Sequence, residues 1–295
     1  RPTSAFSQLT YRSISMSQTP LPNFFIVGVA KAGTTSLHRY LSQHPEVFMS
    51  PIKETNFFAY EERAAADSTA FPIRTLTEYA ELFRDAGMAA AIGESSPRYF
   101  GSPVAARRIK ELIPDAKIIV SLRDPVDRAI SGYFMQVRQG RERRPLAEAI
   151  SSDAHFVKVS FYFERLRRYF DVFGPAAVKV ILFDDLESNA VSTVQELFEF
   201  VGVDASFTPD ISTRHNSGGV PRSEWLHKLL KSQTLRDIVR PLAPAALKAA
   251  ARTLQRRNLV SPPEVSPELR SKLREQFHDD TMQVEALIGR DLSIW

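Results

Sequence analysis

The stretch FFIVGVAKAGTTS, residues 24–36, decides the fold. A short apolar run leads into a glycine-containing turn, and a hydroxyl-rich stretch then opens a helical pattern. Strand, glycine turn and helix in that order cradle phosphate, because backbone N–H groups at the turn and the helix N-terminus point at the anion. Gly28 and Gly33 have the spacing of the nucleotide-triphosphatase pattern G-x-x-x-x-G-K-[ST], but Thr34 stands where that pattern has its lysine. Lys31 lies earlier, on the turn, where an ammonium meets one phosphate and whatever is esterified to it. Thr34, Thr35 and Ser36 add hydroxyl donors. The loop therefore suits a nucleotide with a short 5′ anionic chain and no required metal. The plainer reading is an αβ turn with a solvated lysine.

Outward from this loop, short apolar runs alternate with helical patterns, the signature of an α/β fold. Strands are expected at Phe24–Val29, Ala90–Gly93, Lys117–Leu122 and Val178–Phe183. Helices are expected at Thr35–Gln43, Leu76–Asp85, Val104–Leu112, Val126–Arg138, Phe161–Val172 and Val191–Val201. Beyond about residue 220 the pattern reads as helical throughout, interrupted by Pro241 and Pro244 and ending in an amphipathic helix over Glu268–Ile288. The expected architecture is a single P-loop-like domain over residues 23–295, with a mostly parallel central sheet flanked by helices and a helical C-terminal extension. Residues 1–22 are Ser/Thr-rich, lack acids and carry two arginines, and are expected to be a disordered tail.

Composition narrows the chemistry. The 295 residues are 43% hydrophobic and 24% charged, with a formal net charge of +4 and no cysteine. Disulfides, thiolate metal sites and a cysteine nucleophile are excluded. A cysteine-free chain fits a reducing compartment, so a cytoplasmic location is expected. No apolar run is long enough to span a bilayer. The histidines and carboxylates show no metal-ligand spacing, so no metal is expected. The mild positive charge permits an anionic partner; no nucleic acid is expected.

A second segment fits the same site. KIIVSLRDPVDRAISGYF, residues 117–134, delivers Arg123 to the carboxyl end of a buried strand, where open α/β sheets bind ligands. Arginine suits bidentate phosphate contact. Asp124-Pro125 then starts a helix, with Ser131 two turns in. An Arg123–Asp124 surface ion pair is the structural alternative.

VGVAKAGTTSL together with LRDPVDRAISGY resembles the sulfotransferases that use 3′-phosphoadenosine 5′-phosphosulfate. The likeness extends through SPIKETNFF (50–58), GESSPRYF (93–100), VILFDDL (180–186), HNSGGVPRS (215–223) and the terminal GRDLSIW (289–295). Within that family the resemblance is to the heparan-sulfate-type and bacterial branch. It implies that Lys31 meets the 5′-phosphosulfate and its bridging oxygen, and that Ala32–Thr35, with Gly33 and the hydroxyls of Thr34 and Thr35, hold the 5′-phosphate. Arg123 and Ser131 would take the 3′-phosphate, and Arg222 would close over the nucleotide. The product would be adenosine 3′,5′-bisphosphate.

The resemblance also makes Glu54 the base that deprotonates the acceptor hydroxyl or amine, on a carbohydrate or small natural product. Beside Phe57 and Phe58 its carboxylate is expected to be partly desolvated, which would raise its pKa. One departure stands out: the heparan-type pattern has a lysine where this chain has Ser95. Arg141, Arg143 and Arg144 form a basic cluster that reads either as a solvated loop or as a contact for an acidic acceptor. Of the histidines, His38 and His44 match no motif and His155 is an outside candidate for a base. The helix over SEWLHKLLKS (223–232) carries an apolar face at Trp225, Leu226, Leu229 and Leu230. Two other readings stay open: a non-catalytic nucleotide- or glycan-binding module, and a nucleoside-triphosphate-dependent kinase using VILFDD to hold magnesium.

Overall fold

The structure, a computed structural model, describes residues 20–60, 73–150, 154–212, 220–221, 259–260 and 263–295. Five strands form one parallel sheet: β1 (Phe24–Gly28), β2 (Val47–Met49), β3 (Ala91–Ser95), β4 (Lys117–Leu122) and β5 (Val178–Leu182), in the order β2-β3-β1-β4-β5. β1 lies between β3 and β4: the chain runs from β1 to the edge strand β2, returns to β3, and then crosses to β4 and β5 on the other side. The carboxyl end of β1 is therefore the switch point of the sheet, where such folds open a crevice for ligand.

Both faces of the sheet are buried, which is why its strands are apolar without alternation. One face, with Phe25, Val27, Ile92, Ile118, Val120 and Leu182, packs on α2 (Leu76–Glu81), α4 (Ala105–Leu112) and α8 (Phe163–Phe173). The other face, with Phe24, Ile26, Ala91, Ile119 and Ile181, packs on α1 (Thr34–Leu41) and α10 (Ala190–Val201). The remaining helices are α3 (Arg98–Gly101), α5 (Pro125–Gln139), α6 (Leu146–Ala149), α7 (His155–Lys158), α9 (Phe183–Ser188) and α11 (Pro267–Ile288). A third core joins α5, α6 and α7 to Leu273 and Phe277 of α11.

The helices begin and end on local chemistry. Asp124 accepts from the amides of Val126 (2.7 Å) and Asp127 (3.1 Å) at the start of α5, with Pro125 in the first turn. Ser266 and Pro267 do the same for α11, and a Thr75–Glu78 capping box starts α2.

Several expectations need correction. The strand expected at Ala90–Gly93 continues through Glu94 and Ser95, because Ile26 of β1 pairs as far as Ser95. The short edge strand β2 has no counterpart among the expected strands. The helix expected over Leu76–Asp85 stops at Glu81 and gives way to a 3₁₀ turn at Arg84–Ala86. Phe183 opens α9 instead of closing β5. Val220–Pro221 and Leu259–Val260 pair as a short antiparallel ladder inside the stretch expected to be helical throughout. Arg222, the 223–232 segment, Pro241, Pro244 and residues 1–19 lie outside the described residues.

Candidate active site

The loop between β1 and α1 is bound to the end of β4 at three points. The Val29 amide donates to the Ser121 carbonyl (2.8 Å), Ser121 Oγ donates to the Ala32 carbonyl (2.6 Å), and the Arg123 guanidinium donates to the Lys31 carbonyl (3.3 Å). The two quoted motifs thus meet at the switch point. Gly28 is required by close approach, since a Cβ there would lie 2.7 Å from Phe100 Cβ. Gly33 has φ 77° and is backed by Leu186 and Phe183, so an alanine would be both strained and crowded. Thr34 is buried, whereas Thr35 and Ser36 are half-buried at the first turn of α1.

Lys31 is the electrostatic centre. Burial pushes its ammonium down from 10.5 to about 8, and the positive charges of Arg138, Arg123 and Arg128 push in the same direction. Arg128 is itself buried and held down to about 10, with Nη2 donating to the Phe156 carbonyl (2.7 Å). Such crowding of like charge is unfavourable in the free protein and is relieved by an anion among them. Arg123 lies 4.8 Å over the ring of Phe183, forms an ion pair with Asp127 at 3.8 Å, and accepts a bond from Tyr162 Oη on its carbonyl (2.9 Å). Asp124 is the cap of α5, so the anticipated Arg123–Asp124 pair is replaced by Arg123–Asp127. Ser131 is half-buried on the same helix, two turns in from Pro125.

Glu54 lies at the carboxyl edge of β3, its amide donating to the Ser95 carbonyl (2.9 Å). The expectation of desolvation fails. The Glu54 side chain is 56% exposed and pairs with Lys53 at 2.8 Å. Phe57 and Phe58 turn away into the core, where Phe57 stacks on Tyr79 with ring centroids 4.5 Å apart. Lys53 also helps to push His38 down to about 4, after burial and ahead of Arg39. This brings the segment carrying Glu54 alongside the helix that follows the loop. Ser95 is buried, and its Oγ has no hydrogen-bond partner among the described residues. Lys53 supplies a cation beside Glu54 from a different position.

The basic cluster divides. Arg141, Arg143 and Arg144 are all exposed, and the Arg144 guanidinium is tied to Glu142 by two bonds (2.7 and 3.1 Å). His155 sits among Arg128, Arg98, Arg165 and Arg141, and is pushed down first by burial and then by those charges. His44 is a structural residue, its ring bonded to the Asp204 carbonyl and the Glu46 amide. The acids of VILFDD are committed elsewhere: Asp184 accepts from Trp295 Nε1 (3.1 Å) and Asp185 pairs with Arg290 (3.1 Å). Among the described residues, no three His, Asp or Glu side chains are grouped as metal ligands. No helix there is long and apolar enough to cross a membrane. Three site residues escape sequence reasoning. Arg128 and Arg138 look like surface charges on α5, and Phe183 looks like strand core, until the fold faces them toward Lys31 and Arg123.

The model of the sulfotransferase family matches residues 22–209. Human bifunctional heparan sulfate N-deacetylase/N-sulfotransferase 2 is 30% identical over 206 residues, covering 62% of this chain and 22% of that protein. Mouse heparan sulfate glucosamine 3-O-sulfotransferase 5 is 24% identical over 286 residues, covering 92% of this chain and 74% of that protein. The crystal structure of a sulfotransferase from Alicyclobacillus acidocaldarius superposes with a TM-score of 0.71 at 33% identity, covering 94% of this chain and 99% of that one. The chain spans about a fifth of the length of the N-deacetylase/N-sulfotransferase it matches, 22%.

Proposed function

The chain belongs to the sulfotransferase family, and from that premise we propose that it moves a sulfuryl group from 3′-phosphoadenosine 5′-phosphosulfate to a hydroxyl or amine of a glucosamine-containing glycan. The observation that carries the donor assignment is the convergence of Lys31, Arg123, Arg128 and Arg138 on the glycine loop, with Lys31 on the turn and held at about 8. A triphosphate loop places its lysine on the helix and needs acids for magnesium. Here the candidate acids Asp184 and Asp185 are bonded to Trp295 and Arg290.

In this reading backbone N–H groups of Ala32–Thr35 and the hydroxyls of Thr34 and Thr35 hold the 5′-phosphate, with Ser36 beside them. Arg123 and Ser131 hold the 3′-phosphate; Arg222, outside the described residues, is assigned to the nucleotide by the sequence resemblance alone. Glu54 takes the proton of the attacking oxygen or nitrogen as that atom bonds to sulfur. The opposite S–O bond breaks, its electron pair passing to the 5′-phosphate oxygen, and the Lys31 ammonium meets the charge developing there. The exposed Glu54 is open to a large acceptor, and its 2.8 Å contact with Lys53 orients the carboxylate until the acceptor arrives. The glycan is inferred from the named substrates of the relatives.

The test is direct. With chelator present, the protein should bind adenosine 3′,5′-bisphosphate and transfer label from sulfur-labelled donor to N-desulfated heparan sulfate. Magnesium-dependent phosphoryl transfer from ATP instead would replace this reading with the kinase.

A further inference from the structure

Behind the exposed Glu54 lies a second carboxylate that is completely buried. Glu94 sits in β3 opposite Phe25 of β1, and four hydroxyls converge on it. Its Oε1 accepts from Thr55 Oγ1 (2.9 Å) and, at very short range, from Ser96 Oγ; its Oε2 accepts from Tyr79 Oη (3.0 Å) and Tyr99 Oη (2.9 Å). Four O–H donors fill the acceptor sites of an ionised carboxylate. Burial pushes the Glu94 carboxyl up and the hydroxyl bonds pull it back. Burying a carboxylate without a cation is costly, and apolar packing stabilises a core more cheaply, so the group is poorly explained as a device for stability alone.

The hydroxyls hold one particular piece of chain. Residues 50–58 are zipped onto the end of β3: Ser50 N donates to the Gly93 carbonyl (2.8 Å), Glu54 N to the Ser95 carbonyl (2.9 Å) and Asn56 N to Ser96 Oγ (3.1 Å). Within that piece Glu54 has φ 67° and Asn56 φ 55°, both left-handed, on either side of Thr55. Non-glycine residues persist in that region only when their surroundings over-determine them, and a left-handed glutamate is uncommon. Thr55 is the pin. Its side chain is fully buried against Glu94 and within 3.1 Å of Tyr99 Oη. With Thr55 turned inward, its neighbour Glu54 is turned outward.

We propose that Glu94 is a positioning residue for the transfer reaction: through Thr55 it holds the left-handed turn that presents Glu54 to the acceptor. The proposal rests on the reading of Glu54 as base.

Thr55→Val keeps the side-chain shape and removes the hydroxyl. With sulfur-labelled donor and N-desulfated heparan sulfate, kcat should fall by about ten- to a hundredfold, the scale of a small misplacement of a reacting group. Acceptor KM and the affinity for adenosine 3′,5′-bisphosphate should change by less than about twofold, since neither depends on the pin. Thr55→Ser should restore the rate. In the Glu54→Gln background Thr55→Val should cost almost nothing more, because the group it positions is already gone. An acceptor-free measurement runs beside this: the amides of residues 54 and 56 should lose hydrogen-exchange protection in Thr55→Val. If that variant fails to fold, Tyr99→Phe loosens the same carboxylate from its other oxygen and carries the same expectations. An undiminished kcat in the variant, retained amide protection, or an equal further loss in the Glu54→Gln background would overturn the positioning role and leave the base intact. Wild-type turnover by Glu54→Gln itself would remove the base, and this proposal with it.

Discussion

Raising the pH from about 7 to about 9 should weaken the binding of adenosine 3′,5′-bisphosphate about tenfold, and Lys31 is the reason. In the free protein burial and three arginines hold its ammonium at about 8. A bound 5′-phosphate restores the charged form, so the ligand selects the protonated protein. About nine-tenths of Lys31 is protonated at pH 7 and about a tenth at pH 9, which gives the tenfold loss, or about 1.4 kcal/mol. The ligand does not confuse the window, because the second pKa of a phosphate monoester lies near about 6. Arg128, held at about 10, begins to contribute only above it. Isothermal titration calorimetry across the range reads the slope directly. Lys31→Met should bind more weakly at pH 7 and lose the slope. The free protein carries the opposite sign. The folded pKa lies below the unfolded 10.5, so ionised Lys31 costs stability fully below about 8, and that cost disappears as pH rises toward 10.5. Lys31→Met should therefore melt higher than wild type at neutral pH without ligand, by at most about 3 kcal/mol of stability. A binding constant flat in pH for wild type, or the same slope in Lys31→Met, would refute the reasoning.

Glu54→Gln should leave bisphosphate affinity unchanged and reduce transfer by about 10²–10⁴-fold, the usual cost of losing a general base, read by single-turnover kinetics. Arg123→Ala should weaken adenosine 3′,5′-bisphosphate by about ten- to a hundredfold, one charge-assisted contact, while adenosine 5′-monophosphate binding changes little. That comparison assigns the 3′-phosphate to Arg123 or withdraws it. Arg141→Ala should raise the acceptor KM, whereas Arg144→Ala should not, because the Arg144 guanidinium is already engaged by Glu142; equal effects on KM would contradict the division.

The phosphate loop and the Arg123 strand end were legible because they depend on local pattern: apolar runs, glycines at fixed spacing, and a proline opening a helix. Glu94 was not legible, since GESSPRYF lists a glutamate without revealing that Thr55 and Tyr79, distant in sequence, fold their hydroxyls onto it. The error at Glu54 has a similar origin. Adjacency to Phe57 and Phe58 suggested an apolar setting, but left-handed φ angles at Glu54 and Asn56 send the rings inward and the carboxylate out. Phe183 illustrates the same limit at a strand end, where a half-buried aromatic serves as the floor under Arg123. Edge strand β2 is three residues long, too short for any periodicity to register.

The most direct test of the central claim is a single-turnover assay with sulfur-labelled 3′-phosphoadenosine 5′-phosphosulfate and N-desulfated heparan sulfate, run in chelator with wild type and Glu54→Gln side by side. The account predicts label on the glycan and stoichiometric release of adenosine 3′,5′-bisphosphate for wild type, with transfer nearly abolished in the variant. Tight bisphosphate binding with no label leaving the donor, in either protein, would contradict it.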